Sequence, residues 1–202
     1  MAHKPHAPAC ERNRDAILEV LRRSLPDRGR VLEIGSGTGQ HAVYFAETLP
    51  GLLWQPTERA AALPGIEAWR AEAALPNLAR PLCLDVASDP WPPGPYDAVF
   101  TANTLHIMSW DEVCALFAAL QGVMASDAVL IVYGPFRFNG GHTADSNRAF
   151  DEWLQARSPA MGLRDFEAVD ALARGAGLML VERCAMPANN FCAVWRRATE
   201  SR

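Results

Sequence analysis

Lysine is almost missing: Lys4 is the only one in 202 residues. That scarcity excludes a phosphate-binding loop of the Gly-Lys-Ser/Thr kind, which needs a lysine beside its last glycine. It also removes the Tyr-x-x-x-Lys proton donor set of a short-chain NAD-dependent reductase, since Thr48, Phe100 and Arg137 follow the three tyrosines at that spacing. No run of about 18 apolar residues exists, so no membrane association is expected. The first ten residues lack the apolar centre of a signal peptide, which leaves a cytoplasmic location as the expectation. The five cysteines form no C-x-x-C pair and the five histidines no H-x-x-x-H pair. They read as reduced, buried thiols and as no metal site. With a net charge of −4 there is no overall basic field, so nucleic acid is not the expected partner. Internal repeats and low-complexity tracts are absent too, and nothing in the sequence speaks to the oligomeric state.

What remains is a composition suited to one packed domain: half of the residues are hydrophobic and 21% charged. The most informative stretch is Arg30-Val31-Leu32-Glu33-Ile34-Gly35-Ser36-Gly37-Thr38-Gly39-Gln40-His41-Ala42. Val31, Leu32 and Ile34 suit a buried parallel strand. Three glycines at alternate positions then let the backbone approach a ligand, and the following helix aims free N–H groups at it. A plain structural turn does not require three glycines. A dinucleotide fingerprint fits Gly37, Gly39 and Ala42, with Glu58 nineteen residues beyond Gly39. The acid Glu33, two residues ahead of Gly35, instead completes the E-x-G-x-G-x-G form of S-adenosylmethionine-dependent methyltransferases.

In chain order, Met1 to Ala9 reads as a loose tail, and a helix from Glu11 carries Ile17, Leu18, Leu21 and Leu25 on one stripe. After the glycine loop, Ala42, Phe45, Ala46 and Leu49 mark a helix. Strands are expected at Leu52–Gln55, Leu82–Leu84, Tyr96–Ala102, Ala128–Tyr133, Met179–Ala185 and Phe191–Trp195, the last two as a hairpin. Glu58 and Asp85 stand at strand ends, where ligands bind in open α/β sheets. Ser109 and Glu112 form an S-x-x-E capping box, which leaves His106 outside the following helix.

Five strands alternating with helices and a terminal hairpin resemble the class I methyltransferase plan. Within it, the chain is similar to the methyltransferase-like family called domain of unknown function number 938. The resemblance rests on Glu11-Arg12-Asn13, Gly37 to Ala46, Trp54-Gln55-Pro56, Leu84-Asp85-Val86, His106-Ile107, Tyr133-Gly134-Pro135 and Met186 to Asn190. Thr57-Glu58 departs from the Ser-Asp expected there. The resemblance implies an α/β, Rossmann-like seven-stranded sheet with an antiparallel terminal strand and helices on both faces, as a single methyltransferase-like domain over residues 1–202. It also implies an S-adenosyl-L-methionine-dependent transferase acting on a small-molecule substrate. The cofactor-binding residues expected are Glu33, Gly35, Gly37, Gly39, Glu58, Asp85, Val86 and Asn103. His106 is the expected catalytic base, and Asn13, Tyr133, Arg137, His142 and Asn190 the expected substrate-binding residues. Residues 134–147, with the helix from Glu11, are expected to form a lid. A catalytically silent adenosylmethionine-binding or partner-binding module is the alternative.

Overall fold

The structure, a computed structural model, describes residues 4–197. Its centre is a seven-stranded sheet of β1 (Gly29–Ile34), β2 (Leu52–Glu58), β3 (Leu82–Cys83), β4 (Tyr96–Ala102), β5 (Met124–Gly134), β9 (Leu178–Met186) and β10 (Asn190–Arg197). The strand order is β3-β2-β1-β4-β5-β10-β9. β1 to β5 run parallel, whereas β10 is antiparallel to both β5 and β9. The expected class I sheet is therefore observed, with its antiparallel strand inserted one place in from the edge.

Side chains alternate between the two faces of a strand, so each central strand feeds two cores. Val31, Phe100, Ile131, Tyr133 and Val194 join Ile17 and Leu21 of α1 (Pro8–Ser24) and Phe45 of α2 (Gln40–Thr48). Leu32, Val99, Leu130, Val132 and Trp195 join Leu116, Phe117 and Leu120 of α4 (Trp110–Val123) and Val169 of α6 (Phe166–Gly175). α3 (Leu63–Ala73) buries only Ile66. Near-continuous apolar runs in β4 and β5 follow from burial on both faces.

Two expectations change. α1 begins at Pro8 rather than Glu11, because proline at the first helical position has a suitable fixed φ and no N–H to leave unpaired. Of the expected loose tail, residues 1–3 lie outside the described residues, while 4–7 are tied to α3 and α2. Lys4 pairs with Glu72 at 2.6 Å and lies over the Trp69 ring, Trp69 Nε1 donates to Pro5 O, and Ala7 N donates to Gln40 Oε1.

The second change concerns the expected lid. β6 (Phe136–Phe138), β7 (Gly141–His142) and β8 (Arg164–Asp165) form a small separate sheet, followed and flanked by α5 (Asp145–Arg157). Phe136 is 2% exposed and meets Phe166 edge-on, while Phe138 stacks on Phe166 and packs against Phe191. Aromatic pairs of this kind pack the start of the segment onto the core, so the part expected as an irregular loop is partly regular strand.

Candidate active site

Parallel strands place their carboxyl ends on one edge, and the register sets Ile34 beside both Thr57 and Thr101, and Ala102 beside Tyr133. A cavity of about 390 Å³ opens there. Its floor is the glycine loop from Gly35 to Thr38; its walls include Glu58, Arg59, Leu84, Val86, Asn103, Thr104, Ile107 and Met108; Ala7, Ala9 and Cys10 of the α1 end cover it.

The local sequence explains the loop. Gly35, Gly37 and Gly39 all have positive φ, at 70°, 56° and 88°, a region that costs other residues strain. A Cβ on Gly35 would fall 2.5 Å from Thr104 Cγ2, so the β1 and β4 loops touch only because this residue has none. At Gly37, which lines the cavity, a Cβ would meet nothing within 4 Å. Glu58 Oε2 accepts from Gly37 N at 2.8 Å and its Oε1 from Arg59 N, which holds the carboxylate against the loop.

Glu33 lies beneath the loop and is 2% exposed. Its Oε2 accepts from Ser36 Oγ and Trp54 Nε1, both at 2.9 Å, while Oε1 has no donor among the described residues. Burial pushes its pKa up to about 7, against the pull of the Trp54 and Ser36 bonds and with some repulsion from Glu58. Gly39 is the N-cap of α2.

Among the expected cofactor residues, the cavity wall brings together Gly35, Gly37, Glu58, Val86 and Asn103. Asp85 is turned aside: its Oδ1 accepts from Ala87 N, and its Oδ2 lies 3.3 Å from Arg59 Nε. Arg59 also pairs with Glu112 of the observed Ser109–Glu112 capping box, so it spans the cavity mouth from β2 to α4. Asn103 sits in the left-handed region at φ 57°, which asparagine tolerates better than most residues.

His106 is 5% exposed, packs edge-on against Phe150, and has no ring hydrogen bond among the described residues. Burial, aided by the positive Arg164 and opposed by Asp151, lowers its pKa to about 4, so the ring is neutral at physiological pH. Its Nδ1 lies 3.9 Å from where a Gly134 Cβ would be, beside the Asn103 backbone. The loop carrying it is fixed from behind. Arg164 donates to the carbonyls of Leu105, Met108 and Ala160, and Gly162 N donates to His106 O.

The five expected substrate residues do not converge. Asn13 Oδ1 is 2.7 Å from His41 Nε2, forming a buried polar link from α1 to α2, and Tyr133 is buried in β5. Burial raises the Tyr133 pKa, so the phenol is protonated at neutral pH. Arg137 donates to Asp165 at 2.7 Å, and His142 Nε2 is 2.8 Å from buried Asp151. Asn190 donates to Pro187 O and Ala188 O within its own turn. None of these five lines the cavity. Residues that sequence reasoning missed are Arg59, Met108 and the trio Ala7, Ala9 and Cys10. Only Arg59, next to Glu58, carried any signal.

The sheet order, the glycine loop and the cavity at the strand ends together define a class I methyltransferase fold. The chain belongs to the family described as Protein of unknown function (DUF938), whose model matches residues 4–197. Among solved structures it is similar to the S-adenosylmethionine-dependent methyltransferase SibL in its apo form, with 22% identity, a TM-score of 0.77, and coverage of 94% of this chain and 55% of that one. A second is an O-methyltransferase family 2 protein from Planctomyces limnophilus in complex with apigenin, with 15% identity, a TM-score of 0.80 and coverage of 92% and 57%. A third is CalO1, a methyltransferase in calicheamicin biosynthesis in its SAH-bound form, with 19% identity, a TM-score of 0.67 and coverage of 89% and 52%. The chain thus spans about half the length of these structures. At such identities the likeness concerns the fold.

Proposed function

We propose that the protein is an S-adenosyl-L-methionine-dependent methyltransferase acting on a small molecule. The observation that carries this reading is the cavity between Glu58 and the glycine loop, roofed by α1 and built on the class I sheet. Its volume is within the range of about 300 to 1,000 Å³ usual for small-molecule sites. Open space at Gly37 and a carboxylate at the end of β2 suit an adenosine whose ribose hydroxyls donate to Glu58. Glu33, buried beneath the glycine loop, is the acid that would meet the ammonium at the other end. When bound, the cofactor supplies an electrophilic methyl group.

The chain's own residues orient, shield and take a proton. Leu84, Val86, Met108 and the α1 end exclude water from the cavity, which strengthens the polar contacts within it. His106, held by the Arg164-fastened loop, carries a neutral ring and stands behind the cavity wall, beside Ile107 and Met108 that line it. With a pKa near 4 it is a weak base, suited to orienting an acceptor's O–H or N–H and receiving the proton that becomes acidic once the acceptor atom is methylated. A cytoplasmic setting belongs to the same reading, supported by five free cysteines. No helix among the described residues is long and apolar enough to cross a membrane.

Titration calorimetry is expected to show adenosylhomocysteine binding and no NAD binding; NAD binding alone would overturn the assignment. Labelled cofactor incubated with a metabolite extract should yield adenosylhomocysteine, whereas a silent binding module would yield none. Under the same conditions His106→Ala should lower turnover by about a hundredfold, as loss of a proton-transfer group does, with adenosylhomocysteine affinity unchanged. Full activity would leave His106 as a packing residue of the loop.

A further inference from the structure

α5 carries an aromatic stripe that the core does not use. Its buried residues are Asn147, Asp151 and Leu154, and they seat the helix. Phe150, Trp153 and Arg157 recur at three- and four-residue spacing, so they share the neighbouring side of it. Phe150 meets His106 edge-on, with ring centroids 5.3 Å apart, and lies nearly parallel to Trp153, at 5.8 Å and 18°. The Arg157 guanidinium in turn lies 4.7 Å from the Trp153 ring centroid. A ladder of rings therefore runs from the buried His106 out to an exposed cation.

Exposure, continuity and charge mark this ladder as a surface for a ligand. Trp153 is 51% exposed, and Ile107, next to His106 in the chain, is 45% exposed. Ile107 also lines the cavity, so apolar surface continues from the cavity to the inner end of the ladder. Large exposed rings are favoured where a partner comes to cover them. Two rings and one isoleucine fall far short of the roughly 800 Å² per partner of a stable protein interface, so the occupant is a small molecule. At the outer end, the Arg157 guanidinium pairs with no carboxylate among the described residues and rests over the Trp153 ring. A cation over an exposed ring is weakly held, so it gives way to an arriving anion. Seven residues separate Phe150 from Arg157, about 10 Å of helix, which is the length of two fused rings with a carboxylate.

We propose that the methyl acceptor is a planar aromatic carboxylate that lies on Phe150 and Trp153, pairs with Arg157, and reaches past Ile107 into the cavity. The inference rests on the reading of the cavity as an adenosylmethionine site. Trp153 supplies flat apolar contact at little conformational cost, and the fork of a guanidinium matches both oxygens of a carboxylate. The edge-on contact of Phe150 with His106 fixes the inner end of this platform against the loop that carries Ile107 and Met108. Substrate selection then lies on α5, outside the cavity that holds the cofactor.

The test is calorimetry with 6-hydroxy-2-naphthoate on protein saturated with adenosylhomocysteine, where binding is expected. The corresponding naphthol, which lacks the carboxylate, and cyclohexanecarboxylate, which lacks the flat ring, should each bind about tenfold more weakly. Trp153→Ala should weaken the naphthoate by about tenfold. Arg157→Gln should abolish its advantage over the naphthol and leave the naphthol itself unchanged. Adenosylhomocysteine affinity and Tm should stay close to the parent's in both variants, because both side chains are exposed and outside the cavity wall. The proposal is overturned if the parent binds adenosylhomocysteine but not the naphthoate, if Trp153→Ala binds the naphthoate as the parent does, or if Arg157→Gln keeps the carboxylate preference. A dimer in sedimentation that Trp153→Ala dissolves would assign the surface to a second copy and overturn it as well. Failure of the parent protein to bind adenosylhomocysteine would instead remove the underlying reading.

Discussion

Glu33→Gln should stabilise the unliganded protein by about 3 kcal/mol at pH 8 and by almost nothing from charge at pH 4, while weakening adenosylhomocysteine by about a hundredfold. The sign follows from the direction of the shift. The folded-state pKa of Glu33 is about 7, above its ordinary 4.5, so the folded state holds this proton more tightly than the unfolded chain. Below pH 4.5 the group is protonated in both states and costs nothing. As pH rises from 4.5 to 7 the unfolded chain loses its proton first, and stability falls until the folded carboxyl ionises as well. Glutamine is isosteric, can still accept from Ser36 and Trp54, and carries no charge to desolvate. It would also turn an NH2 group toward the ligand's ammonium. Urea melts at both pH values, with calorimetry on the same samples, check both halves. A variant less stable at pH 8 would mean that a positive charge compensates Glu33 in the folded protein. Unchanged affinity would place the ammonium elsewhere. The parent protein should in addition release protons on binding near pH 6.5, visible as a buffer-dependent heat.

The second large effect is expected at the other end of the cavity. Glu58→Ala should weaken adenosylhomocysteine by about a hundredfold, corresponding to the loss of charged hydrogen bonds worth about 1.5 to 3 kcal/mol each. Stability should change little, because among the described residues the carboxylate bonds only to the Gly37 and Arg59 amides, at a partly exposed strand end. Adenosine should suffer the same proportional loss, since it keeps the ribose and lacks the amino acid. A variant that binds adenosylhomocysteine like the parent would move the ribose away from β2. Asp85 makes an instructive contrast. It is engaged by Ala87 N and Arg59, so its removal would act on the cavity mouth before it acted on any ligand.

Fold and site were legible to different depths, for reasons visible at single residues. Tyr96–Ala102 and the Ser109–Glu112 capping box stand where the sequence placed them, because burial on both faces and a side-chain-to-amide bond are local events written in adjacent residues. The short β6, β7 and β8 were missed because two- and three-residue strands leave no periodicity to read. Arg137 and His142 looked like ligand contacts beside a glycine pair. Their partners, Asp165 and Asp151, come together with them only through the turn of the small sheet and α5. A charge whose counter-charge is distant in sequence always looks free in sequence. The opposite error hid Ala7, Ala9 and Cys10, which carry little chemistry in their side chains and reach the cavity through backbone and small surfaces. Glycines with positive φ were the most reliable pointers, since few roles other than close approach or tight turning call for three of them in five residues.

The placement of β10 bears on how the molecule comes into being. Strand β10 lies between β5 and β9, and it is made after both. A chain leaving the ribosome can pair β1 with β2 and β4, and β4 with β5, as each emerges. β9, however, has no neighbour until residues 190–197 are free to slide in beside it and bring Val194 and Trp195 into opposite cores. Until then β5 exposes a bare, apolar flank, which is the sort of surface that sticks to other unfinished chains. The sheet is therefore sealed only once β10 has been made, and chaperone demand during expression should peak in the interval between the appearance of Gly134 and that of Arg197.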